Sequence, residues 1–390
     1  MTNYDKMITL LTEYGMDKKW VKMFVKKLSD DEKAFTTDEA TKRWALERGF
    51  FPGRVQLYGL TEENYENYLP DFNYFMIHPI NHHFRIWVND KLTLKYVLNS
   101  NNCEDTMPKY YLYVENNGNY TYLMDAPEDV KRDENFILNL LKREGTLAAK
   151  PNSGTSGGRG FMKLQYKNGE IYENNKQIDL QEFNSIISEL KNYIVTEYNY
   201  QHKELARIWP ESECTLRVVM VKVPSSDKYA QLEWKCTVSF ARFGSSITGG
   251  ASNLSSGGIG VGFDFDTGKF KPFGIRYRRF CADGNWECHE HPDTHVGWAN
   301  AKLPNWELVK QKILSVCNHI SSLDYLGFDV IITPGGLKFC EINTHPAADY
   351  AQVICSPILS TEYARSFFKN KGLYDADIQK YVDAYYLSQE

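Results

Sequence analysis

Gly327-Phe328-Asp329-Val330-Ile331-Ile332, followed after Pro334-Gly335-Gly336 by Phe339-Cys340-Glu341-Ile342-Asn343, is the stretch that decides the reading of this 390-residue chain. The pattern predicts two strands joined by a tight turn. Positions that suit Val or Ile instead carry Asp329, Glu341 and Asn343. Side chains alternate across a strand, so Glu341 and Asn343 project to one face, and the hairpin can bring Asp329 opposite them. Three hard oxygen donors on a shared face suit Mg2+, which takes a few carboxylates together with water and substrate phosphates. The same residues also fit the solvent-facing side of an ordinary hairpin. Polar clusters need partners once they are partly buried, and that requirement separates the two readings.

A second segment bears on the choice. Thr146-Leu147-Ala148-Ala149-Lys150-Pro151 reads as a short strand ending in Lys150, and Asn152-Ser153-Gly154-Thr155-Ser156-Gly157-Gly158-Arg159-Gly160 leads from it to a strand that begins Phe161-Met162-Lys163-Leu164. Glycines let backbone N–H groups approach an anion, and the hydroxyls of Ser153, Thr155 and Ser156 add donors. The loop is a plausible phosphate cover or a plain surface hairpin. It is not a P-loop, because no Gly-Lys-Ser/Thr follows and it leads to a strand. The spacing also fails Gly-x-Gly-x-x-Gly, since Lys163 occupies the last position.

Together, a strand lysine, a Gly-rich strand-to-strand loop and a downstream Asp…Glu-x-Asn hairpin resemble the ATP-grasp superfamily. The resemblance implies an α+β (α/β) ATP-grasp fold, with two α+β lobes clasping ATP and an N-terminal helical and aromatic-rich region. It also implies that the loop residues Ser153, Thr155, Ser156, Gly157 and Gly158 close over ATP phosphates, and that Asp329, Glu341 and Asn343 hold Mg2+, as two ions for which Mn2+ can substitute. Asn89-Asp90-Lys91 opens an amphipathic helix (Lys91 to Leu98) and resembles the position of the family's first nucleotide-binding lysine; Lys150 resembles the second. Tyr193-Ile194-Val195-Thr196-Glu197-Tyr198 resembles the strand that meets the adenosine, with Glu197 carried over.

The closest subgroup by this resemblance is the sugar-transfer-associated ATP-grasp proteins, linked to polysaccharide and capsule biosynthesis. The pattern runs from about Gly59 to Tyr350. It includes Gly59-Leu60-Thr61-Glu62-Glu63-Asn64, Cys214-Thr215-Leu216-Arg217-Val218-Val219, Ala241-Arg242-Phe243-Gly244, Asn253 with Gly257-Gly258-Ile259, and His291-Pro292-Asp293-Thr294. One position departs. Several carboxylate ligases of the superfamily have an Arg two residues before the first metal Asp, to stabilise the tetrahedral intermediate, and here that place is Gly327. Another cation must then serve, either Arg217 or Arg242. With Lys150, these two arginines are the expected catalytic cations.

Composition fits a soluble enzyme. Apolar residues make up 42% of the chain, which argues against disorder. The length predicts two or three lobes, read here as residues 1–88 (helical and aromatic-rich), 89–200 (with the Gly-rich loop) and 201–390 (with the metal hairpin and C-terminal helices). A formal charge of −5 argues against nucleic acid as the main partner. No run of about 18 apolar residues and no signal-peptide core is present, so no transmembrane segment is expected and the predicted location is cytoplasmic. The eight cysteines form no Cys-x-x-Cys pair, and Cys236, Cys317 and Cys340 sit in apolar patterns, as reduced buried thiols do. Cys281, Cys288, His289, His291 and His295 lie close together, yet their spacing matches no common zinc module.

Helical periodicity predicts helices over residues 5–28, 37–47, 129–143, 180–190 and 305–322. Lys167-Asn168-Gly169 is the strongest hairpin signal in the chain. From Thr215 to Arg242 the pattern is strand-like, with Arg217, Lys235 and Arg242 interrupting the apolar alternation; an ordinary strand places such cations on its wet face, whereas three on segments aimed at one nucleotide site would neutralise phosphates and transition-state charge.

The activity implied by the resemblance is an ADP-forming ATP-dependent ligase. ATP phosphorylates a carboxylate, and an amine attacks the acyl phosphate to give an amide. The expected acceptor is a uronic-acid-type carboxylate on a sugar nucleotide or glycan, and the donor is an amino acid or small amine. A kinase acting on a hydroxyl and a non-catalytic nucleotide-binding scaffold are the alternatives. Intact Lys91, Lys150, Asp329, Glu341 and Asn343 count against the scaffold.

Overall fold

The computed structural model describes residues 3–100, 103–153, 160–225, 232–249, 251–281 and 284–389. Its frame is two antiparallel sheets. The first contains β1 (Tyr110–Val114), β2 (Tyr120–Tyr122), β3 (Thr146–Pro151), β4 (Met162–Lys167), β5 (Glu170–Glu173), β6 (Lys176–Ile178) and β7 (Tyr193–Glu197), in the order β2-β1-β7-β3-β4-β5-β6. The second contains β8 (Thr215–Pro224), β9 (Leu232–Phe243), β10 (Ile259–Phe263), β11 (Phe270–Arg276), β12 (Glu287–Cys288), β13 (Tyr325–Thr333) and β14 (Gly336–Asn343), in the order β12-β11-β10-β9-β8-β13-β14. Helices are interleaved with both, so the class is α+β, as the sequence predicts.

Alternation along the strands explains the layering. In the first sheet, Leu147, Ala149 and Val195 turn to one side and are buried with Phe136, Leu140 and Phe183 of helices Phe136–Glu144 and Leu180–Ser188. Ala148, Lys150 and Thr196 turn to the other side. In the second sheet, Leu216, Val218, Phe328 and Val330 share a core with Val309 and Ile313 of helix Trp306–His319. The opposite face of β8 carries Thr215 and Arg217 and then Val219, Val221 and Val223. The three valines are buried with Trp20 and Phe24 from the N-terminal helices and Phe367 and Tyr381 from the C-terminal ones. The two ends of the chain thus cover the same half-face, and Arg217 stands where that apolar cover stops.

Local signals account for most element boundaries. The expected hairpin turn is Asn168-Gly169, with φ of 55° and 87° at the two positions and Lys167 paired with Glu170. Helix Lys91–Leu98 is capped by the Asp90 carboxylate, which accepts from Thr93 N at 2.8 Å. Two segments depart most from the predicted helices. The 5–28 segment is two helices, Asn3–Glu13 and Lys18–Ala34, because Gly15 takes φ 103° and Asp17 caps the second. The 129–143 segment is helical only over Phe136–Glu144, since the Asp133 carboxylate accepts from Asn135 N and holds a local turn.

The junction between the terminal helices and the sheet contains a buried charge network. Arg54 bonds Asp31 and Asp71, each at 3.1 Å. Nearby, Lys27 reaches Asp349 at 3.0 Å. Burial alone would raise the Asp349 carboxyl, but Lys27 and then Arg54 outweigh it and bring its pKa down to about 2. A depressed carboxylate stabilises the fold above its unfolded pKa of about 3.9 and loses that contribution as pH falls. Asp349→Asn is expected to cost about 2 kcal/mol at pH 7. In denaturant titrations the gap between variant and wild type should close as pH falls from about 4 towards about 2; a gap independent of pH would refute the assignment.

Candidate active site

Lys150 is the penultimate residue of β3, and the residue after Pro151 fixes what surrounds it. The Asn152 side chain donates to Asp90 Oδ2 at 2.6 Å and accepts from Leu92 N at 2.9 Å. The start of the Lys91 helix is therefore fastened to the end of β3, and the two lysines meet. Thr344 Oγ1 donates to Asn89 Oδ1 at 2.9 Å, which ties the same helix entrance to the chain just past Asn343. Lys91 Nζ lies 4.0 Å from Glu341 Oε2. Burial, partly opposed by Cys340, and the neighbouring Lys91 charge bring the Lys150 ammonium down to about 8. Such a cation lacks an adequate counter-charge, and an anion brought to it would restore its proton affinity. Ser153 accepts from Asn192 Nδ2 at 3.5 Å. Thr155, Ser156, Gly157 and Gly158 lie outside the described residues.

The acidic hairpin has the register expected of it. Asp329 pairs directly with Glu341, and Gly327 with Asn343. Asn343 Nδ2 donates to Glu341 Oε1 at 3.1 Å. On its other side Asp329 pairs with Arg217, so Arg217, Asp329 and Glu341 form a row across three strands. Arg217 is bidentate, with Nε to Oδ1 at 2.5 Å and Nη2 to Oδ2 at 3.1 Å. Arg242 adds Nη2 to Oδ2 at 3.0 Å. Burial would raise the Asp329 carboxyl; Arg217 and then Arg242 hold it well below the usual range. Glu341 is held above its usual range, first by burial and then by the Asp329 charge, with Lys91 opposing.

Gly327 has a structural reason. A Cβ there would lie 2.8 Å from Pro346 Cβ, so no side chain fits without displacing the loop after Asn343. Cys340 is the extra residue of a bulge, because Asp329 pairs with Glu341 while Val330 pairs with Phe339. The bulge turns Cys340 into the cleft. Burial pushes its thiol up to about 12, which makes it a poor nucleophile.

At the far side, Glu197 Oε1 accepts from Lys109 N at 3.0 Å and lies 3.4 Å from Lys338 Nζ. Tyr198, the next residue, donates its hydroxyl to Glu213. Burial holds the Glu213 carboxyl above its usual range against that bond. Lys163 Nζ sits 4.7 Å from the Tyr198 ring centre. Glu213 also lines the cleft and immediately precedes the Cys214–Val219 pattern, and no sequence signal marks it.

Lys91, Lys150, Glu197, Arg217, Arg242, Asp329, Glu341 and Asn343 all line one cleft of about 460 Å3 between the two sheets. Lys235 does not join them. It lies seven residues before Arg242 on β9, pairs with Glu233 at 3.1 Å, and lines a separate cavity of about 910 Å3 that contains none of the expected site residues. Among the described residues no group of three or more His, Cys, Asp or Glu side chains is placed to hold a metal ion. His291 is fully buried and bonds the Gly244 carbonyl through Nε2 at 2.8 Å. Cys214, Cys236, Cys317, Cys340 and Cys355 are free thiols.

Asp329, Glu341 and Asn343 fit a divalent cation by the chemistry of the donor set. Three oxygen-bearing side chains share a face, and the Glu341 carboxyl is raised by burial and by the Asp329 charge, which a bound cation would offset. Lys91 and Lys150, with the start of the Gly-rich loop, fit the phosphates of ATP.

No curated protein matches the sequence. Among solved structures, the chain is similar to an N5-carboxyaminoimidazole synthetase from Staphylococcus aureus complexed with ADP, at 13% identity and a TM-score of 0.36, over 70% of this chain and 51% of that one. It is also similar to D-alanyl-alanine synthetase A from Vibrio cholerae, at 11% identity and a TM-score of 0.35, over 77% of this chain and 65% of that one. The chain thus spans about half the length of the first of these. Among the described residues no helix is long and apolar enough to cross a membrane. The sequence matches the family described as sugar-transfer associated ATP-grasp over residues 74–365, most of its length. The two-sheet α+β frame is therefore an ATP-grasp fold, and the chain belongs to the sugar-transfer associated ATP-grasp family.

Proposed function

We propose that the chain is an ADP-forming ATP-dependent ligase that joins a carboxylate to an amine through an acyl phosphate. The observation that carries this reading is the convergence of Lys91, Lys150, Arg217, Arg242, Asp329, Glu341 and Asn343 in one cleft. This set has cations and metal-type oxygens, and its one thiol, Cys340, is held protonated. Such a set suits a reaction driven by positioning and charge neutralisation.

In this scheme Lys91, Lys150 and the start of the Gly-rich loop hold the phosphates of ATP, and Glu197 and Glu213 face its nucleoside. Asp329, Glu341 and Asn343 would hold Mg2+, which would neutralise phosphate charge when bound. The acceptor carboxylate attacks the γ-phosphorus and ADP leaves. The amine then attacks the acyl carbon, phosphate leaves, and the amine proton departs with it, giving amide, ADP and phosphate. Arg242 is the better candidate for the cation on the acyl oxygens. Arg217 spends both Nε and Nη2 on Asp329, whereas Arg242 spends Nη2 alone. The family's sugar-transfer association favours a uronic-acid-type carboxylate on a sugar nucleotide or glycan.

Hydroxylamine traps an acyl phosphate as a hydroxamate, so supplying ATP, Mg2+ and a carboxylate panel should give hydroxamate with matching ADP release. ADP release without hydroxamate from any acid would instead assign the cleft to a phosphotransferase. Lys150→Met and Glu341→Ala should each lower turnover by at least about 100-fold, and unchanged turnover in Glu341→Ala would remove the catalytic assignment. Asp329→Ala has two consequences. It leaves two buried guanidinium groups without their carboxylate, which should cost about 3 to 5 kcal/mol of ligand-free stability in chemical denaturation. It should also weaken Mg2+-dependent nucleotide binding; lost stability with nucleotide affinity intact would reduce Asp329 to an ion-pair residue.

A further inference from the structure

Apart from Arg242, three segments of the sequence pattern have no part in the scheme above: Ala241–Gly244, Asn253 with Gly257-Gly258, and His291–Thr294. The fold brings them to one corner of the cleft. A Cβ on Gly244 would lie 2.5 Å from Ser212 Oγ and 2.8 Å from the Ala251 carbonyl oxygen. Gly258 is as tightly enclosed, with the carbonyls of Ser252 and Phe243 at 2.7 and 2.8 Å from its would-be Cβ. Buried His291 braces the turn from below. Its Nε2 donates to the Gly244 carbonyl at 2.8 Å, and its ring stacks on Trp209 with centres 5.0 Å apart. Asp293 Oδ2 accepts from Ser246 N at 3.0 Å. The loop after Arg242 is therefore built to a fixed shape.

What that shape presents to the cleft is a set of spare donors. Ser212, Thr215, Arg242, Ser252 and Asn253 line this corner. Thr215 is the register partner of Arg242, and its hydroxyl meets that of Ser252 at 2.9 Å. Among the described residues the Asn253 side chain has no hydrogen-bond partner, although it is half-buried. Arg242 uses Nη2 on Asp329, while its Nε is buried without a partner. A guanidinium with unspent N–H groups beside hydroxyls and a free amide suits an anion that carries hydroxyl groups of its own.

We propose that this corner is the acceptor subsite, where Arg242 receives the carboxylate of a polyhydroxylated acid and Asn253, Ser252 and Thr215 receive its hydroxyls. This assignment rests on the ligase reading for its role but makes its own claim about binding. The Arg242 ion pair, 3.0 Å from Asp329, sets such a carboxylate beside the metal-type oxygens and hence at the phosphate end of the cleft.

Calorimetry on the full chain with a non-hydrolysable ATP analogue and Mg2+ tests it, with three sugar acids (glucuronate, galacturonate and mannuronate), glucose and acetate as probes. At least one sugar acid should bind, and glucose and acetate should bind at least about 10-fold more weakly, since each lacks one half of the recognition. Asn253→Ala and Ser252→Ala should each weaken the sugar acid by about 5- to 10-fold while leaving affinity for the ATP analogue unchanged. No binding by any of the three acids, equal binding of glucose, or unchanged affinity in Asn253→Ala overturns the proposal. The measurement needs no turnover. A sugar acid that binds here yet yields no hydroxamate counts against the ligase reading and leaves the subsite standing. A hydroxamate from an acid whose KM is unmoved by Asn253→Ala does the reverse.

Discussion

The row Arg217, Asp329, Glu341, one residue from each of three adjacent strands, is the constraint on which the cleft depends. A carboxylate this deep is tolerated only because Arg217 binds it in two places and Arg242 in a third. The ion pairs in turn fix the register of β8 against β13, since a slip by one residue would turn Arg217 into the apolar face that Leu216 and Val218 now fill. On the Arg217 face of the same strand the core begins two residues later, at Val219. The charged end and the apolar end of one strand face thus define where the second sheet stops being scaffold and becomes site.

The first sheet has to be held against that row, and the fastening is polar and local. Asn152 joins the end of β3 to the start of the Lys91 helix, and Thr344 joins that helix entrance to the end of β14. Three chain segments far apart in sequence are thereby pinned within reach of Glu341. The terminal helices act at a distance. They bury the lower half of the second sheet and place no residue of the expected site.

Much of this was legible because it follows from alternation and turn chemistry. The Asp329 and Glu341 pairing, the Asn168-Gly169 turn and the Lys150 strand needed only a period of two and a glycine in the right place. Lys235 was misread for the same reason: it shares a strand with Arg242, and sequence alone does not show that its end of β9 opens into another cavity. Three features depended on contacts between segments and left no pattern in the chain. These are the bidentate hold of Arg217 on Asp329, the Cys340 bulge, and the Pro346 ring that excludes a side chain at Gly327. Glu213 was missed because an isolated glutamate before a strand carries no periodicity, and its meaning comes from Tyr198 across the cleft.

The balance of charge in the cleft says what it lacks. At the phosphate end, Lys91, Lys150, Arg217 and Arg242 face Asp329 and Glu341, four cations against two carboxylates. The surplus is uneven. Arg217 is spent largely on Asp329 and Arg242 only through Nη2, burial and Lys91 lower the proton affinity of Lys150, and Glu341 is driven up by burial and by Asp329. A single anion would satisfy the lysines and worsen the position of Glu341; a single cation would do the opposite. Only an anion and a cation arriving together relieve both strains, and a nucleotide phosphate with its divalent metal is such a pair. That complementarity supports the nucleotide reading independently of any one residue, because it arises from the way burial shifts two neighbouring groups in opposite directions.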